Sequence, residues 1–340
     1  MQFRQKLKID RRPTSVVGST PLTTRLSEMN TQCFRDFDAF ADSVADVNSS
    51  MLIQNPRRPL WTLTQTAVGG IHLQHGREGS GNITEGQSSG DGFIIFAPLS
   101  NAAAHAGNGI ALDETRLAIL EPGADFCIRC ETEHDWYAVF IPTDRFGKGR
   151  DLEPASAGSQ PTCRVTRPDR RLADQFRELT CRLFASAAAC PQLDASVAGQ
   201  CAADELLKLV SPIIRRQPAG QHAIDGRPRI ERHQIIRAVK DLLEQREGQH
   251  VAVGELAAAA DVSERTLRNA FKDYFGVSPT RYLRLRQLHQ AYSALRAAVP
   301  DEAMVSKILP QHGVWEFGRF AERYRRHFGE LPSQTLRRKL

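Results

Sequence analysis

The sequence predicts an α+β protein in two parts: an N-terminal β-sandwich or barrel with a helical hairpin, then an all-α domain with two helix-turn-helix units joined by a long helix. Three observations predict it. Short runs rich in β-branched and aromatic residues, broken by Gly, Pro, Asn and Asp, fill residues 61–146. A segment near the C-terminus occurs twice, its glycines 53 positions apart at Gly276 and Gly329. A Pro- and Gly-containing stretch divides the chain where its charge changes.

From the N-terminus, residues 1–30 mix Arg, Thr and Ser without periodicity and are expected to form a loose arm. The N-terminal domain is expected over 31–216, with a short helix near Phe34–Phe40. Runs at 61–68, 70–76, 92–99, 117–123, 126–132 and 136–142 are the expected strands. Two helices follow, about Arg171–Ala188 and Ala195–Arg215. Phe176, Leu179 and Leu183 recur at helical spacing on the first, a stripe that either covers the sheet or forms a dimer interface. Residues 217–228 are expected to be a linker, a tether that leaves each domain its own orientation.

The repeat organises the last domain, 229–340. Leu267 and Phe320 lie nine residues before the two glycines and Phe271 and Tyr324 five before, each aromatic followed by a basic residue, Lys272 or Arg325. Ser263 stands before the first copy where a helix N-cap belongs, and an Ala-rich helix from Val253 precedes it. Val305 to Gly313 and a helix from about Glu316 to His327 make the second unit. Pro310 falls inside the first helix of that unit, where it removes a backbone hydrogen bond. Trp315 is expected to pack at the turn.

Charge follows the same division. From Arg229 onward there are 20 Lys and Arg against 13 Asp and Glu, a net of +7; the first 228 residues carry 25 against 26. A basic domain on a neutral one suits binding to phosphates through one part of the molecule. No run of about 18 apolar residues occurs, so no membrane partner is expected. Seven scattered cysteines make no disulfide framework, and a reducing cytoplasm is the expected setting.

On Leu256-Ala257, Val262-Ser263, Leu267, Phe271-Lys272, Phe275-Gly276, Ser278-Pro279, Tyr282, Arg286, Gly313, Phe320, Tyr324, Phe328-Gly329 and Pro332, residues 229–340 resemble the DNA-binding domain of the AraC/XylS family of bacterial transcription regulators. The N-terminal half resembles, in pattern rather than by a sharp motif, the cupin-like domain of that family's ethanolamine-utilisation subgroup. The resemblance implies a sequence-specific regulator of double-stranded DNA. It also implies a homodimer formed through late N-terminal helices, here Phe176, Leu179 and Leu183, a small-molecule effector, and RNA polymerase as a further partner.

Arg265, Arg268 and Asn269 match the family's base-contacting positions, and their chemistry suits it: arginine forks onto guanine O6 and N7, and asparagine onto adenine N6 and N7. Lys272 is expected on phosphate. In the second helix Gly318 cannot read and Phe317 reaches at most a thymine methyl, which leaves Arg319 for a base and Arg323, Arg325 and Arg326 for phosphate. Specificity is therefore expected to lie mainly in the first unit. The competing classes are a cupin-type metalloenzyme and an architectural DNA-binding protein without an effector. The metal candidates are His72, His75, His105, His134, Cys127 and Cys130, but residues three apart on a strand point to opposite faces, so no metal or other cofactor and no catalytic activity is expected. Trp61, Phe93, Phe96, Phe126, Trp136 and Tyr137 would line an effector pocket or fill a core.

Overall fold

The computed structural model describes residues 29–146, 161–214, 232–246, 248–249, 251–300 and 303–338, without the side chains of 55–59. The expected arm, apart from Met29 and Asn30, and the whole expected linker lie outside these residues.

Strand β1 (Asn30–Phe34) and helix α1 (Phe37–Ser43) precede a long hairpin, β2 (Val47–Val68) and β3 (Ile71–Ser88). The hairpin turns on Gly69 and Gly70, at φ 55° and 76°, a two-residue turn whose twist matches that of the strands. Strands β4 (Gly92–Pro98), β5 (His105–Gly107), β6 (Ile110–Ala111), β7 (Leu117–Leu120), β8 (Asp125–Cys130), β9 (His134–Pro142) and β10 (Cys163–Thr166) complete one antiparallel sheet. Its order is β10-β7-β4-β9-β3-β8-β5-β6, with β2 along the other side of β3 and β1 on β2. At Gly107 an added Cβ would stand 3.2 Å from Val165 of β10, so the ends of the sheet approach and the barrel nearly closes.

All six expected strands form. Two begin or end far from the expected limits because β2 and β3 continue past the polar stretch around Pro56, where register shifts between Ile53 and Asn55 and between Pro56 and Trp61 interrupt the alternation that marks a strand.

Strand β9 shows how the layers are filled. Trp136, Ala138 and Phe140 face the barrel interior with Ile94 and Phe96, while Val139 and Ile141 turn outward with Ile95 and Ile119. Both faces are buried, so the strand reads as a continuous apolar run. Helices α2 (Arg170–Ala189) and α3 (Val197–Ile214) cover the outward face. Phe176, Leu179 and Leu183 are buried there beside Leu206, Val210 and Ile213. These are the three residues expected at a dimer interface, and in the single chain their side chains are held in its own core against the sheet.

The C-terminal half comprises α4 (Arg232–Gln245), α5 (Val253–Ala259), α6 (Glu264–Phe275), α7 (Pro279–Ala297), α8 (Val305–Ile308), α9 (Phe317–Phe328) and α10 (Pro332–Arg337). It is docked on the barrel. Leu52, Ile83 and Cys127 share a core with Val239, Leu267, Phe271 and Phe275, and Phe37 stacks on Phe328 with ring centroids 5.8 Å apart. Three polar anchors accompany this packing. Tyr292 donates to Asp36 at 2.5 Å, with Arg296 paired to the same carboxylate. Tyr282 donates to Glu85 at 2.7 Å, opposite Lys240 at 2.5 Å, and Tyr274 donates to Asn108 at 3.0 Å. The expectation of independently oriented domains is therefore corrected, because complementary apolar faces on the two halves find each other.

Candidate nucleic-acid interface

Ser263 caps α6, its hydroxyl accepting from the Thr266 amide at 3.2 Å. Asp261, at φ 51°, makes the tight turn from α5. In α5 Glu255 reaches back to accept from the Ala252 amide at 2.8 Å, as in one half of a capping box. Leu267, Ala270, Phe271 and Tyr274 are buried as one face of α6, and Gly276 ends the helix in the left-handed conformation at φ 73°.

The opposite face carries Arg265, Arg268, Asn269 and Lys272, all exposed. The sequence-selected residues of the first unit thus share one face. Arg268 pairs with Glu264 at 2.6 Å, one turn away and open to solvent, a contact worth only about 0.3–0.5 kcal/mol. Arg265, Asn269 and Lys272 have no side-chain partner among the described residues. Tyr274 and Gly276, at the far end of the helix, lie against Asn108 and Arg129 of the barrel, so docking holds α6 by its C-terminal end.

In the second unit α8 lasts only from Val305 to Ile308, and a 3₁₀ turn over Leu309–His312 takes up Pro310 at its start. The tighter turn accommodates the missing N–H, which resolves the conflict that the proline poses for a regular helix. Val314 is buried at the turn, whereas Trp315 is 75% exposed. The expectation that Trp315 packs is corrected: Val314 occupies the inward position and the indole is displaced to the outside. No side chain caps α9 at Glu316.

Phe320 and Tyr324 anchor α9, with the Tyr324 hydroxyl 2.8 Å from Thr335 Oγ1. Arg319, Arg323, Arg325 and Arg326 are exposed. Arg319 pairs with Glu316 at 3.3 Å and Arg326 with Glu322 at 2.7 Å. Arg319, Glu322, Arg323 and Arg326 line a shallow recess with Arg284 of α7, and Arg325 lies outside it. A second groove of about 570 Å³ runs between the units, bordered by Arg246, Arg284, Trp315 and Arg323. Arg284, on the connecting helix rather than in either repeat, lines both recesses, and Trp315 borders the larger one; the sequence signals singled out neither for this surface.

Inside the barrel, His105, Cys130 and His134 come together, with their ligating atoms all within 4.8 Å of one another. His72, His75 and Cys127 do not join them: His72 bonds Asp46 at 3.0 Å, His75 faces Asp135 at 3.8 Å, and Cys127 belongs to the core shared with the C-terminal half. Residues three apart diverge in those pairs, whereas this trio is assembled across strands. His105 is the register partner of Cys130, and His134 that of Glu78. Burial opposes charge on His134, but the Glu78 carboxylate at 3.6 Å prevails and lifts its pKa to about 10. Burial likewise opposes ionisation of Cys130, and hydrogen bonds from His105 and His134 outweigh it, bringing the thiol down to about 6.

Phe40, Met51, Phe96, Phe126 and Trp136 border an interior cavity of about 70 Å³, with Glu78 and His134 among its polar lining. Of the six aromatic candidates, Phe96, Phe126 and Trp136 face it; Trp61 and Tyr137 are buried elsewhere, and Phe93 packs toward the helical hairpin. All seven cysteines are free, and no described helix is long and apolar enough to cross a membrane.

A helix-turn-helix domain model matches residues 256–338. The XylDLEGF operon transcriptional activator of Pseudomonas putida is 31% identical over 135 residues, 40% of this chain and 39% of its own length. XylDLEGF operon transcriptional activator 2 of the same organism is 31% identical over 134 residues, 39% of this chain and 79% of its own. The probable thc operon regulatory protein of Rhodococcus erythropolis is 34% identical over 103 residues, 30% of this chain and 31% of its own. The chain thus spans about two fifths of the length of the first of these relatives. Among solved structures, the AraC-like transcriptional activator CuxR aligns over 84% of this chain and all of its own at a TM-score of 0.39 and 12% identity.

Proposed function

The chain belongs to the AraC/XylS family of transcription regulators, and from that premise we propose that it binds specific double-stranded DNA sites and regulates transcription from them. One observation carries the reading. The capped helix α6 buries Leu267, Ala270, Phe271 and Tyr274 and leaves Arg265, Arg268, Asn269 and Lys272 together on its free face. That is the donor set that reads guanine and adenine in the major groove. Helix α9 presents arginines and no Asn or Gln, so it positions the domain on phosphates, with Arg319 placed for a base.

The proposal extends to a homodimer that brings two such domains to paired half-sites and to contact with RNA polymerase at a promoter. The burial of Phe176, Leu179 and Leu183 in the chain's own core favours an interface elsewhere on the barrel. A small effector would enter the barrel beside Glu78 and His134; at about 70 Å³ the cavity takes only a few heavy atoms, well below the usual ~300–1,000 Å³ of a ligand pocket.

Selection of bound sequences from a random double-stranded pool by the full chain, followed by titration of the winner at two salt concentrations, tests this. A recurrent motif with salt-dependent affinity is expected. Salt-sensitive binding without a motif, or no binding, overturns specific recognition.

A further inference from the structure

We propose that His105, Cys130 and His134 form a three-ligand site for a thiophilic divalent transition metal, zinc being the first candidate. The trio comes from three strands: His105 opens β5, Cys130 closes β8 and His134 opens β9. All three side chains are buried, at 1%, 0% and 5% exposure. Burial at this level is unusual for histidine without a partner for each nitrogen.

The hydrogen bonds around the two imidazoles are those a metal site requires. His134 Nδ1 donates to the Thr132 carbonyl at 2.9 Å, and His105 Nδ1 donates to the Asn101 carbonyl at 3.1 Å. A carbonyl partner on one nitrogen fixes the tautomer and frees the other for the ion. In His105 that other nitrogen, Nε2, is buried and has no hydrogen-bond partner. In His134 it faces the Glu78 carboxylate at 3.6 Å.

Spacing agrees with chemistry. Zn–S near 2.3 Å and Zn–N near 2.0–2.1 Å place two ligands of a tetrahedral ion about 3.5 Å apart. Here one ligating atom from each of the three residues lies within 4.8 Å of the others, so small rotations close the site. Thiolate with two imidazoles selects zinc, cobalt or copper over magnesium or calcium.

Glu78 supplies the balancing charge. It is 4% exposed and held by Trp136 Nε1 at 2.6 Å and by Asn82 Nδ2. His134 and Glu78 also border the interior cavity, which leaves room beside the trio for a further, exchangeable ligand. A site of three protein ligands with one open position binds an exchangeable ligand as well as the ion.

The test uses the full chain with the four exposed cysteines, Cys33, Cys181, Cys190 and Cys201, replaced by serine, which removes adventitious thiols from the surface. After chelation under reducing conditions, it is titrated with cobalt(II). One equivalent with a thiolate-to-cobalt charge-transfer band is expected, displaced by zinc, and further replacement Cys130→Ser should abolish the band, with His134→Gln weakening binding at least about tenfold. Absence of the band, or its survival in Cys130→Ser, overturns the site. Should Cys130→Ser fail to fold, X-ray absorption at the cobalt edge of the cysteine-depleted protein decides: one sulfur with imidazole scatterers supports the site, and a shell of oxygen and nitrogen alone overturns it.

Discussion

The hydroxyl of Tyr292 lies 2.5 Å from the carboxylate of Asp36, a hydrogen bond that spans 256 positions of sequence and joins the connecting helix of the C-terminal half to the first helix of the barrel. Asp36 serves both sides. Its Oδ1 also accepts from the Ala39 amide at 3.0 Å and so caps α1, and Arg296 pairs with the same carboxylate.

Asp36→Ala removes the cap and both long-range partners and leaves the Arg296 guanidinium, largely buried, without its counter-charge. Docking should weaken by about 1–3 kcal/mol. Hydrogen exchange should rise together in α1 and α7 while the α2–α3 hairpin stays protected. Unchanged exchange in α7 would show that apolar packing alone holds the halves.

Asp38 makes the docking pH-dependent. Burial is the main cause that raises its carboxyl to about 6, with the nearby Asp36 adding to the effect against the Ser293 hydrogen bond. The docked form therefore binds a proton that the undocked, solvated form releases down to about pH 4. Stability from this group is full at low pH and lost as pH rises through 6. The difference in urea midpoint between the parent and Asp38→Asn should change between pH 5 and 7 in that direction. A pH-independent difference would remove Asp38 from the account.

Arg268→Ala should relax base preference at one position of the site, by about 1–3 kcal/mol of discrimination. Arg323→Ala should instead lower affinity for every sequence and reduce the slope of log affinity against log salt by about 0.9. Competition titrations with single-base variants separate the two. Equal loss on all sequences from both variants would mean that α6 does not enter the groove as a reader.

Leu183→Ala should cost about 2–5 kcal/mol of stability, because the side chain is 4% exposed between sheet and hairpin. Sedimentation of the folded fraction should show the parent's oligomeric state. A change of state without loss of stability would return Leu183 to an interface.

Trp315 is 75% exposed, whereas Trp61 and Trp136, at 2% and 5%, complete the set of three. Addition of a specific duplex should quench or shift tryptophan emission, and Trp315→Phe should remove most of that change. An undiminished response from the variant would place Trp315 away from DNA.

Local signals were legible wherever a residue's role depends on its neighbours in sequence. Ser263 reads as a cap, and Leu267, Ala270, Phe271 and Tyr274 read as a buried face, because helix periodicity is a property of a dozen adjacent residues. Pro310 foretold an irregular first helix in the second unit. What escaped depends on distant partners. Nothing near Phe176 says whether its stripe meets a sheet or a second copy. Nothing near Trp315 says that Val314 takes the inner position. His105, Cys130 and His134 converge only through strand register, and a count of spacings within one strand cannot find them.

The three polar anchors, Asp36 with Tyr292, Glu85 with Tyr282 and Asn108 with Tyr274, join two helices of the C-terminal half, α6 and α7, to three separate places on the barrel. Three points fix a body against rotation, so while they hold, the reading helices cannot swivel on the chain between the halves. Two copies joined through their barrels would then behave as a ruler of fixed length, accepting one half-site separation and rejecting insertions of a few base pairs. Breaking the anchors would turn the ruler into a string, and tolerance of spacing becomes a direct gauge of docking on DNA.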